Sequence, residues 1–380
     1  MKKIIIIAII ITSITFFVFG FSSGVYHHFP FELINNQKRL IIGCYEPSQY
    51  QHIFETDVSS LIKIQDEEDI REKKQILIQF IWKEEKLDIE KIVDMIEKNI
   101  SDIRYEEMTN LQRIDKFSIK MEHDVNTIAY LFSPKTSNNN LIIYHQGHGG
   151  DFVIGKNTIE FFLDKGYTVL AFSMPLYGMN NQPIIDLPNF GKIKLEVHNQ
   201  FHLLDNNEFT SIKYFMEQIL VSLNYIEKEY DFDSYSMVGV SGGGWSAIIY
   251  SAIDDRIDNN FSVTGMYPEY LQQLYHPADY ERINSQLYQK VSALEFFVMS
   301  GYGENRTAMQ IFNKFDPGGR CGEYYKTYEG VIKEKIGELG KGEFITYLDD
   351  THNEHKISNH ALEIIFNQLE EKRITKTVIN

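Results

Sequence analysis

The sequence has few cysteines, and its basic residues are outnumbered by its acidic ones. Among 380 residues there are 2 cysteines, Cys44 and Cys321, too few for a disulfide framework or for a zinc site made only of cysteines. Lys and Arg total 37 against 53 Asp and Glu, a formal charge of −16, and so acidic a surface repels nucleic acid. The phosphate-binding pattern G-x-x-x-x-G-K-[ST] and the dinucleotide fingerprint are also missing, which argues against nucleotide chemistry.

The N-terminus carries the pattern of an export signal. Lys2 and Lys3 precede an apolar run, Ile4–Phe19, and small residues follow it. A short positive region before such a run is typical of a signal peptide or a membrane anchor. Residues 1–23 are therefore interpreted as this segment. The positive-inside rule then places residues 24–380 outside the cytoplasm, either released or anchored.

Residues 24–115 are predicted to form a mainly helical N-terminal extension that packs on a larger domain. The stretch Asp66–Trp82 opens with acidic residues, as a helix N-terminus prefers. Apolar residues then recur at helical spacing from Leu87 to Ile100, which predicts a second helix.

The apolar period changes to two near Phe117. Residues 117–121 and 128–132 alternate between apolar and polar, which predicts a β-hairpin. Strands and helices then alternate to the end of the chain. The predicted strands are Leu141–Tyr144, Thr168–Phe172, Ser236–Val240, Phe261–Gly265, Gln310–Lys314 and Phe344–Leu348. This alternation predicts an α/β fold with a mostly parallel sheet and helices on both faces. Residues 179–207 exceed a usual connection and are interpreted as a lid.

A glycine-rich turn follows the predicted strand Ser236–Val240. Residues Gly239–Gly243 read G-x-S-x-G with Ser241 at the centre, and a predicted helix comes next. A side chain presented at the top of a sheet needs a sharp, strained strand-to-helix turn. The residues two before and two after it then approach each other closely, so that only glycine fits. The pattern indicates a nucleophile elbow.

Over roughly residues 115–380 the chain resembles the α/β-hydrolase superfamily, with the active site of its serine esterases, lipases and peptidases. Two further stretches carry the resemblance: Gly166–Phe172 followed by Met174–Gly178, and Gly147 after the preceding strand. The resemblance implies a catalytic domain at residues 116–380 and a reaction that uses no cofactor.

The predicted strand Leu141–Tyr144 ends in the glycine-rich stretch His145–Gly150. Glycine-rich turns allow backbone N–H groups to bind a developing oxyanion. Alignment with the family implies that the amides of His148 and Gly242 form this oxyanion hole. His145 and His148 alone do not indicate a metal site, because a third clear ligand is missing.

The resemblance places the general base, a histidine, after the last strand. His352 follows Phe344–Leu348 directly and is favoured over His355, which is expected to begin the closing helix. His198 and His202 are interpreted as surface or lid residues.

The triad acid has two candidates between the nucleophile and the base. Asp316 follows the strand Gln310–Lys314 and leaves room for one helix before the last strand, which is the family's closing unit. Glu304 follows the apolar run Leu294–Met299 and would leave extra elements in between. Asp316 is favoured.

The sequence therefore predicts a serine hydrolase that cleaves a carboxylic ester by way of an acyl-enzyme. In the implied roles, Ser241 attacks, His352 transfers the proton and Asp316 orients the imidazole. The expected partner is a small-molecule or lipid-like ester, with no nucleic acid and with membrane association through residues 4–19. The alternatives are a peptidase or acyltransferase of the same fold, or a non-catalytic binding protein.

Overall fold

The structure is a computed structural model that describes residues 51–274, 279–318, 320 and 322–379. The predicted export segment, residues 1–23, lies outside the described residues. Within the described ranges, no helix combines the length and apolarity needed to cross a membrane.

A single twisted sheet organises the molecule. The strands found in the described residues are β1 (Met95–Ile100), β2 (Leu111–Ile119), β3 (Thr127–Pro134), β4 (Asn140–His145), β5 (Thr168–Phe172), β6 (Ile184–Leu187), β7 (Gly191–Lys194), β8 (Ser234–Val240), β9 (Asn259–Val263), β10 (Thr307–Asn313) and β11 (Glu343–Asp349). Nine of them pair in the order β1-β2-β3-β5-β4-β8-β9-β10-β11, and β6 and β7 form a separate hairpin. The six strands from β5 to β11 in this order are parallel. Strands β1, β2 and β3 join them antiparallel. The prediction of a mostly parallel sheet is confirmed.

Helices cover both faces of this sheet, as predicted. They are α1 (Gln51–Phe54), α2 (Glu67–Trp82), α3 (Lys156–Asp164), α4 (Lys213–Glu229), α5 (Gly242–Ile253), α6 (Tyr280–Ile283), α7 (Ser285–Tyr288), α8 (Ala293–Gly301), α9 (Glu329–Leu339) and α10 (Asn359–Ile379). Alternate side chains of β4 show the two layers. Leu141 and Ile143 join the apolar core beneath α4, α5 and α8, and Ile142 and Tyr144 join the core beneath α3 and α10. This alternation follows from the period of two in a strand.

The predicted hairpin is confirmed, and the predicted second helix is wrong. Strands β2 and β3 pair with Phe117 opposite Ala129. Residues Met95–Ile100, predicted as helical, instead form β1 and pair with β2. This edge strand exposes most of its side chains, so it has no apolar alternation, and backbone pairing with β2 decides its conformation.

The described N-terminal segment is fastened to α4 by polar contacts. The indole N–H of Trp82 donates to the buried carboxylate of Glu217 at 2.5 Å, and Lys91 pairs with the same group. The side-chain amide of Asn224 donates to the carbonyls of Asp88 and Lys91 at 2.8 and 2.7 Å. Partnered in this way, the buried charge of Glu217 is stabilised inside the protein.

The connections that follow β4, β8, β10 and β11 meet at one edge of the sheet, since parallel strands all end on the same side. This edge is called the carboxyl edge below. The long connection between β5 and α4 contains the β6–β7 hairpin and a short 3₁₀ helix, His198–Leu203. That helix brings part of the predicted lid region, residues 179–207, to the carboxyl edge.

Candidate active site

Ser241 occupies a sharp turn between β8 and α5 at the carboxyl edge. Its backbone has φ 56° and ψ −119°, in the positive-φ half of the map that a non-glycine residue rarely adopts. Its amide donates to the carbonyl of Val263 at 2.9 Å, and its own carbonyl accepts from the amide of Trp245 at 3.0 Å. These bonds hold the strained residue at the N-terminus of α5, where the helix dipole favours negative charge.

Glycines are required around this turn because backbone fills the space that a side chain would take. A Cβ on Gly239 would lie 2.1 Å from the carbonyl oxygen of Gly243, and one on Gly243 would lie 1.9 Å from that of His145. A Cβ on Gly147 would lie 2.8 Å from the Cβ of Ser241. The contacts agree with the steric reading of the G-x-S-x-G pattern.

Replacing Gly243 by alanine is expected to lower the free energy of unfolding by about 2–3 kcal/mol, because the obstructing atoms belong to backbone and cannot turn aside. The matched control is Gly337→Ala in α9. No described atom lies within 4 Å of the Cβ it would introduce, so it is expected to stabilise the protein by about 0.5–1 kcal/mol. Urea unfolding of both variants checks this. Equal stabilities for the two would contradict the steric account.

Asp316 and His355 form a pair beside the serine. His355 Nδ1 lies 2.8 and 3.0 Å from the two carboxylate oxygens of Asp316. Asp316 is buried and also accepts from the amide of Gly318 at 2.7 Å. His355 lines the same pocket as Ser241. Because Nδ1 faces the carboxylate, Nε2 is the ring nitrogen left for proton transfer.

The structure does not pair His352, the predicted base, with Asp316, whose histidine partner is His355. His352 Nε2 lies 3.3 Å from Asp349 at the end of β11, and its Nδ1 accepts from the amide of Glu354 at 3.1 Å. His352 is thus held within its own loop. The closing helix begins only at Asn359, so His355 stays in the loop that reaches the pocket.

Glu304, the alternative acid, lies at the opposite edge of the sheet. It precedes β10, whereas Asp316 follows that strand. It lines a cleft with residues that begin the parallel strands, such as Asn140 and Ser234. Because β10 is seven residues long, about 20 Å separates the two edges. Glu304 therefore cannot contact His355 or Ser241.

Of the two predicted oxyanion-hole residues, His148 lines the pocket beside the serine, and Gly242 directly follows Ser241 in the chain. Gly242 is the first residue of α5, so its N–H has no acceptor within the helix. The ring of His148 packs against it, since a Cβ on Gly242 would lie 2.6 Å from His148 Cε1. His145 faces away from this pair. It is fully buried, its Nδ1 bonds the carbonyl of Gln146 at 2.9 Å, and burial lowers the pKa of His145 to about 4.

Two buried arginines donate to the hydroxyl of Ser241. Arg282 Nη2 lies 3.3 Å and Arg320 Nη2 lies 3.2 Å from Ser241 Oγ. Arg320 is also anchored by a bond from Nε to the carbonyl of Thr264 at 2.6 Å. Arg282 Nε lies 3.7 Å from the carboxylate of Asp279 at the rim. Two guanidinium groups thus lie beside this hydroxyl, and Arg282 also lies 3.9 Å from the carboxylate of Glu281.

A cluster of two histidines and a glutamate adjoins the pocket. His148 Nε2 lies 3.0 Å from His198 Nδ1 and 3.1 Å from Glu281 Oε1. Glu281 Oε2 lies 3.2 Å from His198 Nδ1, and His198 Nε2 lies 2.7 Å from the carbonyl of Pro175. Burial by itself would raise the pKa of Glu281, but the two imidazoles hold that pKa well below its usual range.

Sequence reasoning missed most of these neighbours. It assigned His198 to the surface or lid, yet the residue is buried. Arg282, Glu281 and Arg320 stand in segments without a motif. Their relation to Ser241 arises because three connections from distant parts of the chain converge at the carboxyl edge, and no spacing along the sequence signals it.

Comparison with known proteins identifies the fold. No family model matches the chain, and no curated protein matches its sequence. The structure resembles an acetyl xylan esterase from a Paenibacillus species, with a TM-score of 0.51 and 13% identity over 75% of this chain and 90% of that one. It also resembles acetyl xylan esterase 1 from a Thermoanaerobacterium species, with a TM-score of 0.54 and 12% identity over 85% and 98%. A methylesterase matches with a TM-score of 0.54 and 11% identity over 80% of this chain and 62% of that one. The chain has the α/β-hydrolase fold.

Proposed function

We propose that the protein is a serine hydrolase that cleaves a carboxylic ester, with Ser241, His355 and Asp316 as its catalytic triad. The proposal rests on two features that lie in one pocket. The first is a serine on a strained elbow at the N-terminus of a helix. The second is a histidine that a buried carboxylate holds by its Nδ1. This is the arrangement that turns a hydroxyl into a nucleophile.

In the proposed reaction, His355 Nε2 takes the hydroxyl proton as Ser241 Oγ attacks the carbonyl carbon of the ester. The tetrahedral oxyanion is bound by the amides of His148 and Gly242. Collapse breaks the bond to the alcohol, which leaves with the proton from His355. The imidazole then takes a proton from water as the hydroxide attacks the acyl-serine, the bond from the acyl carbon to Ser241 Oγ breaks, and His355 returns the proton to Oγ as the acid is released. Asp316 keeps the imidazole oriented and stabilises its charged form.

The surroundings of the serine favour an ester with a negative charge near the scissile bond. Arg282 and Arg320 are both buried and both reach Ser241 Oγ. A guanidinium group is matched in shape and charge to a carboxylate or phosphate oxygen pair. The proposed substrate therefore carries such an anionic group, which takes over the guanidinium contacts while the hydroxyl attacks.

Labelling with a fluorophosphonate probe tests the proposed nucleophile. The whole 380-residue chain is expected to react with the probe, and Ser241→Ala is expected to lose all labelling because the attacking oxygen is gone. Ser246→Ala is the matched control, since that hydroxyl lies in α5 and donates to the carbonyl of Gly242 at 3.2 Å.

Short-chain aryl esters, thioesters and aryl amides would be assayed in parallel. Turnover of esters alone supports the proposal, and preferential turnover of amides favours a peptidase. A folded chain that neither labels nor turns over any of them would contradict the catalytic proposal and favour a binding protein.

A further inference from the structure

The cluster of His148, His198 and Glu281 presents three ligand atoms to one point. The three atoms come from separate elements: the loop after β4, the 3₁₀ helix His198–Leu203 and helix α6. They all lie within 4.8 Å of one another. The proposed triad uses none of these three side chains, so the cluster needs an explanation of its own.

The hydrogen-bond pattern leaves an acceptor atom of the cluster without a donor. His198 Nε2 lies 2.7 Å from the carbonyl of Pro175. A carbonyl only accepts, so this nitrogen carries the proton, and Nδ1 is the ring nitrogen left to bind a metal ion. Glu281 is fully buried, and its Oε1, which lies 3.1 Å from His148 Nε2 and 3.9 Å from Arg282 Nε, has no hydrogen-bond partner among the described residues. A proton on His148 Nε2 can be donated either to His198 Nδ1 or to Glu281 Oε1. A divalent cation, in contrast, would bind His148, His198 and Glu281 together.

We propose that His148, His198 and Glu281 bind one divalent metal ion of the zinc class beside the nucleophile. Two imidazoles and one carboxylate form a ligand set that zinc accepts, with a fourth position left for water. Ligand atoms about 2.1 Å from a tetrahedral ion lie about 3.3 Å apart. The two imidazole nitrogens lie 3.0 Å apart, and each faces a different oxygen of Glu281, at 3.1 and 3.2 Å. Metal binding would therefore need the carboxylate to turn one oxygen toward both nitrogens.

The surroundings of the three ligands fit this assignment. The bond from His198 to a backbone carbonyl is the support that metal-bound histidines commonly receive from outside the coordination shell. Asp279 Oδ1 lies 3.7 Å from His148 Nε2 on the pocket side, where it can accept a hydrogen bond from a water in the fourth position. Two of the ligands are buried, and the third is only 19% exposed. Solvent therefore competes little for the site.

Metal binding would also fix the relative positions of the segments that form the pocket. The ion would tie the loop that carries His148 to the lid region and to α6, which holds Arg282. His148 is the residue whose amide is proposed to bind the oxyanion. The metal proposal does not depend on ester hydrolysis, because its test measures the ion and not the reaction.

Metal content and spectroscopy of the whole chain, prepared without a histidine tag, test the inference. After removal of metals with a chelator, the protein is expected to bind one Zn²⁺ per chain with a dissociation constant below about 1 µM. Co²⁺ is expected to give the visible absorption bands of a four-coordinate site, and Zn²⁺ to raise the melting temperature by mass action.

Two substitutions locate the site. Glu281→Gln and His198→Gln are expected to weaken Zn²⁺ binding at least about 100-fold, because each removes a direct ligand. His202→Gln is the matched control, since His202 is exposed on the same 3₁₀ helix and its loss should leave binding unchanged. If a variant fails to fold, Zn²⁺ binding by the metal-free parent and the Co²⁺ spectrum of the parent still test the proposal. The proposal would be contradicted if the parent bound no stoichiometric Zn²⁺. It would also be contradicted if both folded variants retained Zn²⁺ binding.

Discussion

We expect the replacement of His355 by alanine to lower kcat for an ester substrate by about four orders of magnitude or more, and His352→Ala to leave kcat within about threefold of the parent. The reason is the position of the buried carboxylate. Asp316 holds His355 by Nδ1, which leaves Nε2 free for proton transfer in the pocket that Ser241 also lines. His352 binds within its own loop, against Asp349.

Steady-state kinetics of the two variants, together with Asp316→Asn, check this assignment. Asp316→Asn is expected to lose about 10⁴-fold in kcat, because an amide favours the wrong imidazole tautomer. Thermal melting of each variant controls for misfolding, since His355 and His352 occupy the same loop. Should His352→Ala abolish turnover while His355→Ala remains active, the loop would have to rearrange in solution and the triad proposed here would fail.

We expect an ester with a carboxylate on its acyl chain to be hydrolysed with a higher kcat/KM than the uncharged ester of equal length, and the double variant Arg282→Gln/Arg320→Gln to remove this preference. Both guanidinium groups are buried, and removing one partner of a buried charge pair costs about 2–5 kcal/mol. The preference is therefore expected to fall by about 30-fold to 4,000-fold. The neutral ester is expected to change far less, because it makes no ion pair.

The measurement compares aryl monoesters of a dicarboxylic acid with aryl esters of the matching monocarboxylic acid. Arg320→Lys keeps the charge and should retain part of the preference, which separates charge from packing. Arg71→Gln is the control, because Arg71 is exposed on α2 and pairs with Glu68. An unchanged preference in the folded double variant would mean that the two arginines serve structure alone.

Much of the catalytic half of the fold follows from local patterns. The period of two predicts the β2–β3 hairpin because a strand with one buried face must alternate. The buried strands of the parallel sheet stand out as short apolar runs, since both of their faces are covered. Strand β1 escaped prediction because it lies at the edge, where exposed side chains carry no such pattern and pairing with β2 decides its structure.

The residues of the candidate site likewise divide into those that local sequence patterns predict and those that they do not. Ser241 could be found because the sharp turn leaves no room for a side chain two residues before and two residues after it. The glycines at these positions, Gly239 and Gly243, are visible in the sequence. Asp316 could be placed because an acid after β10 leaves one helix before the last strand. The choice between His352 and His355 could not be made, because both stand in one loop and the path of that loop depends on which carboxylate it meets.

The sequence by itself therefore determined the β2–β3 hairpin, the alternation of parallel strands with helices, the sharp turn at Ser241 and the segment after β11 that contains both His352 and His355. These features arise from sterics and periodicity between near neighbours in the chain. Only the tertiary structure decided that His355 pairs with Asp316, that Arg282 and Arg320 donate to the serine, and that His148 and His198 meet Glu281. These contacts join residues tens to more than a hundred positions apart. They form because the carboxyl ends of parallel strands all lie at one edge of the sheet.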